Sequence, residues 1–270
     1  MARIVFTRLG RSELVDSITS HLQRTYTFVP SSNLEQNEHP KLVLVDALDV
    51  SVSYLQSFLS THENNNVYYL VISSDVVYSD LGADLEPRPQ SKMGEDWPSI
   101  VPSPLDPSIH KMLKALQVES LLLQNTTCSV LRPFGIYDPA FKEGLVADIV
   151  AQVKTGEVEL DGDGSVTRTF LPLEDLLFVV SRVTKRLLAD KPGIYNVGSP
   201  EAISYKHLIE TIWSFVYGPG SDPIVKYKRS NTYIDLWKIP DITRISAVLQ
   251  WSPKTSLRKG LWNLLQENRQ

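Results

Sequence analysis

Between Val130 and Pro139 the chain reads VLRPFGIYDP, and this stretch constrains its organisation more than any other. The β-branched and apolar residues leading into it, TTCSVLR, spell a buried strand. Pro133 cannot extend a central ladder, so the strand has to stop there, and Pro139 marks a second break. An aromatic-rich turn lies between them. The segment is therefore a hinge. Before it, short apolar strands alternate with helical patterns; after it comes a half rich in Gly-Asp, Arg and Trp.

Before the hinge, strands are expected at Ala2–Thr7, Thr25–Pro30, Lys41–Asp46 and Val67–Tyr78. Ser12–Arg24 reads as a helix with Leu14, Ile18 and Leu22 on one stripe, and Ser51–Ser60 as a shorter one. Ser79–Pro104, with many Pro, Ser and Asp residues, reads as a long surface loop. Asp106-Pro107 then supplies a capping residue and a first-turn proline. The helix it opens has Ile109, Met112, Leu113, Leu116 and Ser120 on its expected buried side, with Ala115, Val118, Leu122 and Leu123 as further apolar positions. Beyond the hinge, Gly144–Gly156 and Ser204–Val216 read as helices, and Glu157–Leu160 and Gly193–Gly198 as strands.

A length of 270 residues suffices for one large α/β unit or one and a half domains. The net charge of −4 gives no electrostatic case for nucleic acid or an anionic membrane as partner. The single cysteine, Cys128, has no internal disulfide partner and reads as a small buried hydrophobe. The N-terminal apolar run is too short for a signal peptide, and no segment approaches ~18 apolar residues, so a soluble cytoplasmic protein is expected. The five histidines show no metal-ligand spacing.

Five segments share one resemblance. LRPFGIYDP is similar to LRPxNxYGP, with Gly135 at the Asn place and Asp138 at the Gly place. Gly162–Phe170, GDGSVTRTF, is similar to GDGxxxRDF; GIYNVG to YNxG; LQWSPKTSL to LGWxPxxSL; and SSDVVY to SSxxVY. Together they identify the chain as resembling the NAD-dependent epimerase/dehydratase family, extended short-chain dehydrogenases that act on sugar nucleotides. The resemblance covers nearly the whole chain, strongly after residue 128, fairly around Ser73–Tyr78 and poorly over residues 1–66.

The resemblance implies an α/β fold, with a Rossmann-like doubly wound parallel sheet in residues 1–160. A smaller substrate-binding lobe is implied in 161–270, with part of the chain returning to the main sheet. It implies NAD or NADP as cofactor, a nucleoside-diphosphate sugar as ligand, and a homodimer built around the helix that carries the family's YxxxK. Lys114 falls on that lysine and His110 on the tyrosine. Ser74 falls on the residue that hydrogen-bonds the sugar hydroxyl, and Asp75 on the dehydratase acid. Arg168 falls on the diphosphate-binding arginine, and Arg229 stands where relatives often have a second diphosphate contact.

His110 and Lys114, four residues apart, share one helical face. Imidazole titrates near neutral pH, so His110 is a candidate base. Its ring would stop roughly 2 Å short of a tyrosine oxygen, and a misplacement of ~1 Å costs ~100-fold. A solvated histidine is the other reading.

The cofactor half departs from the family. TGxxGxxG, whose glycines let backbone amides reach a pyrophosphate, is replaced by Thr7–Ser12 with Gly10 alone. Gly10, Arg11 and Lys114 are what remains to hold a cofactor. Ser31, Ser32 and Asn33 occupy the region of the ribose carboxylate, and the first acid there is Glu35. Asp46-Ala47-Leu48 stands where relatives have a small pair. One reading is an atypical member that binds a sugar nucleotide as a regulatory subunit or as the partner of an active enzyme, with ordinary NAD-dependent catalysis impaired. A second is an active NAD(P)-dependent epimerase, dehydratase or reductase using His110. A third is an interaction surface alone. The loop separates them: amides converging on an open cavity favour an enzyme, whereas Arg8, Leu9 or Arg11 side chains filling the pyrophosphate place disfavour it.

Overall fold

The computed structural model of the protein describes residues 4–31, 41–62, 67–78, 92–96, 109–228 and 238–267. Strands and helices are numbered in chain order. β1 (Val5–Leu9), β2 (Thr27–Phe28), β3 (Leu42–Asp46), β4 (Tyr68–Ile72), β5 (Thr127–Pro133) and β10 (Ile194–Val197) form one sheet in the order β10-β5-β4-β3-β1-β2. Every pairing in it is parallel. β3 and β4 are buried at every residue, which is why LVLVD and YYLVI read as unbroken apolar runs rather than alternating ones. This is the doubly wound α/β sheet expected.

Three helices in the first unit connect these strands: α1 (Glu13–Leu22), α2 (Val52–Thr61) and α3 (Ile109–Asn125). Ser12 and Ser51 cap the first two, accepting from the amides of Val15 at 3.3 Å and Tyr54 at 3.4 Å. Two expectations need correction. The strand through Val67–Tyr78 ends at Ile72, because Ser74 accepts from the Val76 amide and starts a 3-10 turn over Asp75–Val77. The buried stripe of α3 is Met112, Ala115, Val118, Glu119 and Leu122, while Leu113 is exposed.

Glu119 causes that rotation. Its carboxylate accepts from Arg132 Nε at 3.2 Å and Nη2 at 2.6 Å. Arg132 Nη1 donates to the Tyr78 hydroxyl at 2.7 Å, which donates onward to Asn196 Oδ1 at 2.7 Å. A buried charge must face its partner, and this outranks apolar periodicity. Ala115, Val118 and Leu122 therefore complete the core of their own chain, while Leu123 is exposed.

Two compact units emerge, the first made of Met1–Tyr78, Pro107–Pro133 and Leu177–Val197. Residues 134–160, expected with the sheet, fall in the second unit. Pro133 ends β5, and the apolar face of α4 (Leu145–Thr155) packs with α6 (Tyr205–Tyr217) and α8 (Leu257–Glu267). Val146, Ile149, Val153, Leu208, Ile212 and Leu261 lie in that core. Small strand pairs surround it: β6 (Ile136–Tyr137) with β9 (Leu171–Pro172), β7 (Val158–Asp161) with β12 (Val225–Lys228), and β8 (Thr167–Thr169) with β11 (Ala202–Ser204). Helices α5 (Leu173–Leu187) and α7 (Thr243–Leu249) complete the described elements. Among the described residues no helix is long and apolar enough to cross a membrane.

Candidate functional site

In an open parallel sheet, ligands bind beyond the carboxyl ends of the strands where the strand order reverses. Here that point is β1, which has β2 on one side and β3 on the other. Gly10 follows β1, Asp46 ends β3, and Ser74 follows β4. Three candidate positions therefore meet at one end of the first unit.

The Thr7–Ser12 loop meets neither test as it was framed. Leu9 is buried, Arg8 pairs with Asp16 and lies 5.9 Å over the Phe28 ring, and Arg11 is exposed. The turn after β3 packs closely against Gly10. A Cβ on Gly10, whose φ is +89°, would lie 2.7 Å from Asp46 Cβ and 3.2 Å from the Val50 amide nitrogen. The Arg11 N–H donates to Asp49 Oδ2 at 2.6 Å. The close approach that a glycine permits is made by Asp46 and the backbone of the same turn.

Carboxylates gather here. Glu13 and Asp16 lie in the first turn of α1. Asp46 is 3% exposed, and its Oδ1 accepts from the Leu48 amide at 3.1 Å. Burial raises its pKa, as does Asp49, against the Ser12 hydroxyl and the amides of Leu48 and Asp49, which lower it.

Lys114 reaches the same turn from α3. Its Nζ donates to the carbonyls of Leu48 at 3.0 Å and Asp49 at 2.9 Å. His110, one turn earlier, is exposed. Ser74 Oγ donates to Asp75 Oδ1 at 2.9 Å while capping the 3-10 turn, against which α3 packs. The structure thus brings Gly10, Arg11 and Lys114 onto one turn, and pairs Ser74 with Asp75. Beside them the Ser73 hydroxyl is buried without a hydrogen bond among the described residues.

In the second unit, Arg168 lies on β8, half-buried. Its Nη1 donates to the Thr167 carbonyl at 2.8 Å, and its guanidinium stands 6.0 Å from the Tyr205 ring centre. The preceding Gly-Asp-Gly turn is closed by Asp163, whose Oδ1 accepts from the Ser165 amide at 2.9 Å; hydrogen bonds from the Ser165 side chain and backbone lower its pKa. Gly135, at the family's Asn place, has φ +56°, and a Cβ there would fall 2.0 Å from the Thr169 carbonyl oxygen. Lys226 pairs with Glu157 and Lys228 with Glu159 on an exposed edge. Arg229, Ser32, Asn33, Glu35, Asp106, Pro107 and most of the 79–104 loop lie outside the described residues.

Sequence reasoning missed Asp49 and the Glu119–Arg132–Tyr78–Asn196 network. The signal for Asp49 was an Asp-x-x-Asp at the end of a fully apolar strand. No group of His, Cys, Asp and Glu among the described residues has the arrangement of a metal site.

No family model matches the chain. UDP-glucuronic acid decarboxylase 4 of Arabidopsis thaliana is 26% identical over 267 residues, covering 96% of this chain and 57% of the relative. UDP-glucuronic acid decarboxylase 5 of the same plant is 28% identical over 198 residues, 71% of this chain and 55% of the relative. The chain spans a little over half the length of these relatives. The dTDP-glucose 4,6-dehydratase of Bacillus anthracis, solved with NAD, superposes with a TM-score of 0.75 at 15% identity, covering 99% of this chain and 97% of that one. The UDP-glucuronic acid 4-epimerase of Bacillus cereus, solved with a fluorinated UDP-sugar and NAD, gives 0.71 at 18% identity, covering 98% and 91%. At these identities the structural likeness establishes the fold.

Proposed function

The chain is a relative of the NAD-dependent epimerase/dehydratase family, and on that premise we propose that it binds a nucleoside-diphosphate sugar while ordinary NAD-dependent catalysis is impaired. The observation that carries this reading is the close approach of the turn after β3 to Gly10, with the Arg11 amide donating to Asp49. A dinucleotide pyrophosphate needs that bare glycine face and those donors, so the residues present do not fit it. A sugar nucleotide needs neither. Arg168 offers the planar fork that suits a diphosphate, and Tyr205 flanks it. Such a protein would serve as a regulatory or partner subunit in sugar-nucleotide chemistry.

Thermal shift with a panel of UDP- and dTDP-sugars tests the ligand half of the reading, since a ligand selective for the folded state raises the melting temperature. At least one sugar nucleotide is expected to stabilise the wild type. Arg168→Ala should weaken that binding by about tenfold, the loss of one charge-assisted contact, with the unliganded melting temperature little changed. No shift with any sugar nucleotide, or full binding by Arg168→Ala, would remove Arg168 from the site. The same reading includes a homodimer using Leu113 and Leu123 of α3; light scattering that returns a 30.4 kDa particle at high concentration would count against it.

The hydrogen-bonded Ser74–Asp75 pair favours a second reading, an active NAD(P)-dependent enzyme with His110 as base. Turnover of a nucleotide sugar that His110→Ala abolishes would establish it.

A further inference from the structure

We infer that Asp49, an exposed carboxylate on the turn after β3, holds the dinucleotide-phosphate place of the first unit closed, on a turn that Lys114 fastens. The inference rests on the reading that this protein binds NAD(P) weakly, and it assigns that weakness to one residue. Three contacts support it. Asp49 Oδ2 takes the Arg11 N–H at 2.6 Å, just before α1 begins, where a carboxylate meets the positive end of the helix. Asp46 Cβ and the Val50 amide approach half-exposed Gly10 so closely that no side chain fits there, which sets the turn against the end of β1. Lys114, from a helix 65 residues further along the chain, donates to the carbonyls of both Leu48 and Asp49.

Asp49 is exposed, and a buried acid three residues before it points the same way. Asp46 Oδ2 is enclosed at the same turn without a hydrogen bond of ordinary geometry among the described residues, and the fold tolerates this carboxyl beside Gly10. Glu13 and Asp16 add acid to the first turn of α1, and of the arginines there Arg8 is paired with Asp16 while Arg11 is exposed. A dinucleotide must therefore displace a charge-assisted hydrogen bond and approach several carboxylates in order to bind. Lys114, which the family uses beside its cofactor, here secures the obstruction.

The test is NADH binding, read by its fluorescence at fixed ionic strength, to wild type, Asp49→Ala and Asp49→Asn, each checked for a cooperative melt. Asp49→Ala is expected to bind at least about tenfold more tightly than wild type, the scale of one charge-assisted contact released. Asp49→Asn should gain less, because an amide oxygen still accepts from Arg11. The asparagine variant is isosteric and decides the matter if the alanine variant fails to fold. Weak binding by wild type and by the folded variants alike would overturn the inference and leave the weak-cofactor reading standing. Tight binding by wild type would overturn both.

Discussion

Asp46 and Asp49 stand three residues apart on one turn and do different things. Asp49 reaches across 38 residues of sequence to the Arg11 amide. The Asp-x-x-Asp pattern marks the residue but not its partner, which is set by how β1 and β3 pair. Asp46 was visible as an acid ending an apolar strand, yet its burial was not. The consequence for stability has a definite sign. Burial raises the Asp46 pKa above its ordinary 3.8, so the fold favours the neutral form. The favourable contribution is complete below that ordinary value and is lost as pH rises through the raised native one. Asp46→Asn should therefore melt above wild type at pH 7, and the gap should shrink as pH falls below about 4. A variant that melts lower at pH 7 would show that the ionised carboxylate is needed where it stands. Gly135 is the opposite case: it was read as a departure from the family's Asn, and the 2.0 Å approach of the Thr169 carbonyl gives the departure a steric cause.

At the scale of elements, strands buried on both faces were the easiest to read. Lys41–Asp46 and the β-branched run into Pro133 fall where β3 and β5 lie, because continuous apolar composition and a proline stop are local properties. β4 and α3 were read less well, each for a polar reason. The hydroxyl of Ser74 ends the extended run after Ile72, and Glu119 turns α3 by facing inward to Arg132. The guanidinium stays charged there: burial lowers its pKa, but Glu119 and Tyr78 more than offset this. Breaking a buried pair strands the remaining charge, so Arg132→Met should destabilise by about 3–5 kcal/mol in urea unfolding. Adding Glu119→Leu to that variant should recover much of the loss. A small effect of the single change, with no recovery in the double, would mean that Glu119 escapes to solvent and that the pair does not set the pose of α3.

Across the whole molecule the doubly wound parallel sheet and the family resemblance were legible, since they rest on motifs spread from β4 to α8; the strand order was not read. The distribution of the chain between two units was less so, because 134–160 reads as a helix and a strand whichever core receives them. At the cofactor place the sequence showed a missing glycine pattern; the close approach of the turn after β3 to Gly10 needed three dimensions. The central claim, sugar-nucleotide binding with the dinucleotide place closed, makes the two ligand classes behave differently on one sample. Isothermal titration of the purified wild type with UDP-glucuronic acid and related UDP-sugars, and separately with NAD and NADPH, measures that contrast. The account predicts saturable binding of a sugar nucleotide and no saturation by either dinucleotide. Tight, stoichiometric NAD or NADPH binding, with or without a sugar nucleotide, would contradict it.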